Sequence, residues 1–177
     1  MDAATDVNLQ AVSLHSDGRL KEARLRYAEV LALEPPREPT AAELERVDRY
    51  APTLYTTPTE PLPLRDVVAI IHPSAPLIGY HLFWEDDIDF PDDDEPTDHE
   101  QVWVAWSPTT QKVTGMYAWY HEHLLETKRG VITANRAGAR PVVYVQWGKH
   151  GSLLTGWQDM EADGQSVLAD MRETYER

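Results

Sequence analysis

The chain has 177 residues, 42% of them hydrophobic, and carries 30 acidic against 16 basic side chains, a formal net charge of −14. That balance disfavours nucleic acid, whose readers present a basic face, and anionic membrane surfaces, which would repel it. The absence of cysteine excludes disulfides, zinc–thiolate sites, iron–sulfur clusters and cysteine nucleophiles.

The opening stretch, MDAATDVNLQAVSLHSDGRLKEARLRY, has no apolar core of signal-peptide type. Asp2 and Asp6 stand where a signal would carry basic residues. No run reaches the ~18 apolar residues of a membrane span, so the expected location is cytoplasmic. Residues 7–33 read as two helices around a turn at Ser16-Asp17-Gly18, with Leu20, Ala23, Tyr27, Val30 and Leu31 at helical spacing. Ala11, Gly18, Ala23, Tyr27, Leu31 and Pro35 resemble the pattern of one tetratricopeptide repeat, from which Gln10, Leu14 and Val30 depart. One such repeat cannot bury its own apolar face. It is expected either to pack on the main domain or to dock a protein partner.

EPPREPT is a proline-rich connector, and Thr40 with Glu43 is a capping-box signal for a helix over 41–50. APTLYTTPTEPLPLRD is extended and stiff, with prolines at 52, 58, 61 and 63. The organisation expected is therefore a helical segment 1–50, a connector 51–66 and a β-rich domain 67–177.

Five strands follow: VVAII (67–71), IGYHLFW (78–84), QVWVAW (101–106), VTGMYAWY (113–120) and VVYVQW (142–147). Ile78, Tyr80, Leu82 and Trp84 share one face of the second strand; Gly79, His81 and Phe83 share the other. SPTTQK is a hairpin turn. LLETKRGVITANRAGAR reads as helical, and GQSVLADMRETYER as a final amphipathic helix. The fold class expected is α+β: a mostly antiparallel sheet or sandwich with an N-terminal helical hairpin and a C-terminal helix. The six tryptophans are expected mainly in the core.

The chemistry concentrates at strand ends. From Glu85 to Glu100, ten of sixteen positions are acidic and none is Lys or Arg. Carboxylates at that density repel one another unless a cation intervenes. Asp92, Asp93, Asp94 and Glu95 read as a solvated acidic loop. Asp98, His99 and Glu100 open a strand, where alternation sends Asp98 and Glu100 to one side and His99 to the other. Paired carboxylates on a rigid element chelate hard cations, and with imidazole they also suit Mn²⁺, Fe²⁺ or Zn²⁺. His150, between Gly148 and Gly151 in WGKHGS, is a further ligand candidate, as is His81. His121 and His123 are expected to share a face at another strand end. Lys128, Arg129, Arg136 and Arg140 read as a solvated helix face. Lys149, beside His150, is the best candidate to hold an anionic group. HExxH, Walker, GxGxxG and GxSxG motifs are absent.

The order of these features, DHEQVWVAW and then RPVVYVQWGKHG, resembles the vacuolar-sorting-like domain family and, more distantly, the necrosis-inducing-protein family of microbial toxins, over about residues 65–157. The resemblance implies a β-sandwich with a cation held at one edge by Asp98, His99, Glu100 and His150, and with the acidic strand end Asp86 to Asp89 as further ligands. The toxins' longer heptapeptide of His, Asp, Trp and Glu is absent, and cytolysis is not implied.

The reading that follows is a divalent-metal-binding protein with ligands drawn from His81, Asp98, His99, Glu100 and His150. As a metal-dependent hydrolase of a small anionic substrate it would use Asp98 as general base and Lys149 to hold the anion. The alternatives are a non-catalytic cation-binding module or adaptor, and a strand end with no cation.

Overall fold

Alternation fixes the central layer. In the computed structural model, which describes residues 3–35, 37–89 and 97–176, the period-two segments form one antiparallel sheet. Its strands, in spatial order, are β2 (Leu64–Ile71), β3 (Leu77–Trp84), β4 (His99–Trp106), β5 (Val113–Tyr120) and β6 (His123–Glu126). Register follows the hydrophobic pattern: Tyr80 opposes Val102, Ile78 opposes Val104, and Val104 opposes Met116, all buried on the inner face. Slipping any strand by one residue would turn this set to solvent.

A second sheet is made of β1 (Thr53–Tyr55), β7 (Val142–Val145) and β8 (Ser152–Leu154), with β1 parallel to β7 and β7 antiparallel to β8. Val143, Val145, Leu153 and Leu154 join the inner face of the large sheet in one core, each buried aliphatic side chain contributing about 1.5–3 kcal/mol. Around this core lie α3 (Ala41–Tyr50), α4 (Lys128–Arg136), a short ribbon of β9 (Glu161–Ala162) and β10 (Gln165–Ser166), and the C-terminal α5 (Val167–Glu176). The fold is α+β, as the pattern predicts. No described helix is long and apolar enough to cross a membrane.

The chain divides into two compact units, residues 1–40 and 41–177. In the first, α1 (Ala3–Ser16) and α2 (Leu20–Leu33) form the expected hairpin. Gly18, at φ 72°, closes α1 by donating to His15 O at 2.9 Å. Ala4, Ala11 and Ala23 are its buried residues, small enough to let the helices approach closely. The helix α3, read from sequence with this segment, packs in the second unit instead: Tyr50 is buried there, stacked on Trp106, and Tyr80 Oη donates to Val47 O at 2.7 Å.

Three further expectations change. Leu124 and Leu125 belong to a strand, because His121 (φ 43°) and Glu122 (φ 69°) form a tight left-handed turn that folds β6 back on β5; helix begins only at Lys128, capped by Thr127, whose Oγ1 accepts from Gly130 N at 2.9 Å. The connector holds β1 and the first residues of β2. Of the tryptophans, Trp84 and Trp106 are buried, while Trp119 and Trp147 are exposed. Asp92 to Glu95 lie outside the described residues.

Candidate functional site

The structure divides the predicted ligands between the two faces of the large sheet. On the inner face, Glu100 stands opposite Leu82, and Asp98 precedes it by one pleat. His150 reaches Asp98 from the turn between β7 and β8. That turn is built on left-handed residues, Gly148 at φ 68° and His150 at φ 54°. It closes through His150 N to Gln146 O (2.9 Å) and Gln146 N to Gly151 O (3.1 Å). Neither glycine has room for a side chain: a Cβ on Gly148 would meet Ile88 at 2.6 Å, and one on Gly151 would meet Gln146 Oε1 at 2.6 Å.

His150 is fully buried and lies flat on Trp84, ring centroids 4.1 Å apart. Its Nδ1 is 2.7 Å from Asp98 Oδ2, and its Nε2 is 3.1 Å from Glu60 Oε1. With a carboxyl oxygen facing each ring nitrogen, the arrangement suits the imidazolium form, in which both nitrogens donate. Burial pulls its pKa down, but the hydrogen bonds it donates to Asp98 and Glu60, and their charges, outweigh that and raise it above the ordinary value. Glu60 is itself fixed by the N–H groups of Leu62 (3.2 Å) and Gly148 (2.9 Å).

Glu100 is the counterpart. Burial, and then the charge of Asp98, push its carboxyl up to about 9, against opposing pulls from the Ser152 N–H and Lys149. Its Oε2, and the neighbouring Ser152 Oγ, are buried with no hydrogen-bond partner among the described residues. Unpaired buried oxygens of this kind are uncommon and costly.

Lys149 is paired with Asp89 and, at 3.4 Å, with Asp87. Burial would lower its pKa; Asp89 and Asp87 more than compensate and raise it. The acidic end of β3 therefore meets the lysine beside His150. Of the other basic residues, Arg129 pairs with Asp159 and Arg140 with Asp48.

His81 and His99 are separated from this set, on the outer face. His81 Nδ1 lies 2.9 Å from His99 Nε2, and His99 stacks on Phe83 with centroids 4.6 Å apart. Burial, and then His99, lower the pKa of His81. The expected pairing of His121 and His123 fails because the tight turn lies between them: His121 turns to Gln146 (2.9 Å) and Asp170 (3.4 Å), His123 to Asp163 (2.8 Å). Among the described residues, no three His, Asp or Glu side chains are grouped so as to hold a metal ion.

Glu60 escapes sequence reasoning. It sits in a proline-rich connector 38 positions before Asp98, and only the fold brings it to His150. No protein-family model matches the chain, and neither a curated protein nor a solved structure matches it.

Proposed function

We propose that the second unit is a divalent-cation-binding module, with Asp98 and Glu100 as oxygen ligands, His150 as nitrogen ligand and Glu60 as the carboxylate behind the imidazole. The observation that carries this reading is Glu100, a buried carboxyl group with a bare oxygen beside a second carboxylate, holding its proton up to about pH 9. A cation lets both acids ionise in the same place. As they stand Asp98, Glu100 and His150 are not grouped as a ligand set, so they must close on the ion for it to bind. Nε2 keeps its proton and donates it to Glu60, leaving Nδ1, on the Asp98 side, as the ligating nitrogen. Metal-bound imidazoles ordinarily donate their other N–H to a carboxylate in this way. Asp98 must turn from the ring to the cation, and the Nδ1 and Glu100 protons must leave, so affinity rises with pH.

A cation here would also acidify a bound water or polarise a phosphoryl or carbonyl oxygen, with Asp98 as base and Lys149 on the substrate's anionic group. Two observations give the non-catalytic reading the greater weight. His150 and Glu100 are buried, and Lys149 is already neutralised by Asp87 and Asp89. In an adaptor, the helical hairpin would be the partner-docking element.

Calorimetric titration of the tag-free, chelator-treated protein with Mn²⁺ and Mg²⁺, in buffers of different ionisation enthalpy, tests the proposal. The expected result is stoichiometric binding with release of roughly one to two protons at pH 7, lost in the Asp98→Asn/Glu100→Gln double variant. Unchanged binding in that variant would end the assignment. Metal-dependent ester hydrolysis lost in Asp98→Asn would move the weight to the enzyme.

A further inference from the structure

We infer that the outer face of the large sheet carries a second, chemically distinct site: His81 and His99 form a two-imidazole ligand pair for a borderline first-row cation of the Zn²⁺, Ni²⁺ or Cu²⁺ class. The inference does not rest on the inner site.

It begins with register. Phe83 opposes His99 and His81 opposes Gln101, so the two histidines are diagonal neighbours on adjacent antiparallel strands. Their facing nitrogens, Nδ1 of His81 and Nε2 of His99, are 2.9 Å apart. Two nitrogens bound to one ion at about 2.0–2.1 Å stand about 2.9 Å apart at a right angle and about 3.4 Å apart at a tetrahedral one. That spacing is also that of an ordinary hydrogen bond, in which the two nitrogens point at each other, so each ring must turn before both lone pairs meet one ion. One shared N–H holds them there.

Packing orients the rings. His99 lies on Phe83 (4.6 Å, 7° between planes), with His81 at its edge (5.1 Å, 12°). The Trp103 side chain covers Gly79, the residue two before His81 on the same face, where an added Cβ would lie 3.2 Å from it. Both imidazoles are half-buried rather than sealed. The neighbours limit each ring to few rotamers, while the half-open face leaves room for the turn and for water to complete the coordination shell.

The ligand type decides the metal. Imidazoles select Zn²⁺, Ni²⁺ or Cu²⁺, whereas Mg²⁺ and Ca²⁺ need oxygens. On binding, the ring that donates the shared hydrogen must shift its proton to its other nitrogen.

The test uses full-length, tag-free Glu100→Gln protein, in which the inner ligand set is incomplete, titrated with Zn²⁺ and Ni²⁺ by calorimetry at pH 7.5. One ion per chain is expected, unaffected by excess Mg²⁺. His81→Gln and His99→Gln, each added to that background, should weaken binding at least about tenfold, with unchanged circular dichroism and thermal midpoint. His123→Gln should bind as the parent. Histidine Cε1–H resonances followed by NMR should shift at His81 and His99. Binding that survives both His81→Gln and His99→Gln at full affinity, or a parent that takes up neither ion, overturns the inference.

Discussion

On the inner face of β4, Glu100 sits opposite Leu82 with one oxygen unpaired and its proton retained. One residue earlier, on the outer face, His99 lies half in water against Phe83. The difference lies in dielectric rather than in residue type. Inside, each ionisable group is charged only through a specific partner: His150 through Asp98 and Glu60, Glu100 through none. Outside, His81 and His99 satisfy one another, and solvent is close enough to replace either. Inner substitutions should therefore change stability and its pH dependence. Outer substitutions should leave both nearly untouched.

The largest expected effect is at His150. Replacing it with Leu leaves Asp98 and Glu60 facing each other without a cation between them. Breaking a buried ion set in this way costs about 3–5 kcal/mol. His99→Leu on the outer face should cost under about 1 kcal/mol. Urea unfolding of the two variants checks the contrast, and equal losses would mean that the two faces are not electrostatically different.

The pH dependence is next. Glu100 has a folded pKa of about 9 against an ordinary 4.5. Between those values the unfolded chain ionises this carboxyl and the folded chain does not, so stability falls as pH rises through the window. His150 acts in the same direction. Its folded pKa is raised above 6.5, so its contribution is complete below about 6.5 and is lost as pH rises through the folded value. Metal-free protein should therefore lose on the order of 5 kcal/mol from pH 5 to pH 9. Glu100→Gln should remove most of that slope, whereas His81→Gln should leave it in place. Denaturant midpoints at four or five pH values would show it.

A cation bound at the inner site should reverse the loss. At a concentration a hundredfold above its dissociation constant it adds about 2.7 kcal/mol. Mn²⁺ should therefore raise the thermal midpoint of the parent at pH 8 and leave that of Asp98→Asn/Glu100→Gln unmoved.

Much of this arrangement is legible in the sequence. Alternation alone assigns Asp98 and Glu100 to one side of β4 and His99 to the other, and places His81 with Gly79 and Phe83. The hairpin at 107–112 and the final helix also read correctly, because both carry local signals. Relations between strands leave no such trace. That His81 meets His99, while Asp98 meets a histidine 52 positions later, depends on register and on a parallel β1–β7 pair. Glu60 is invisible for the same reason. Leu124 and Leu125 misread as helix because the turn before them is made by His121 and Glu122, at positive φ without the usual Gly or Asn.

The smallest effects compare two glycines, one on each face. A Cβ on Gly151 would lie 2.6 Å from Gln146 Oε1 and 2.9 Å from the Tyr120 ring, both buried and unable to withdraw. Gly151→Ala should cost about 2 kcal/mol through overpacking, and it should also disturb the turn that carries His150. A Cβ on Gly79 would lie 3.2 Å from the Trp103 indole, which is partly exposed and can lift towards solvent. Gly79→Ala should cost no more than about 0.5 kcal/mol, because reduced freedom of the unfolded chain offsets the displaced indole. A Gly79→Ala loss as large as that of Gly151→Ala would mean that the outer face is packed as rigidly as the core. The half-open ring pair at His81 and His99 would then lack the room to admit an ion.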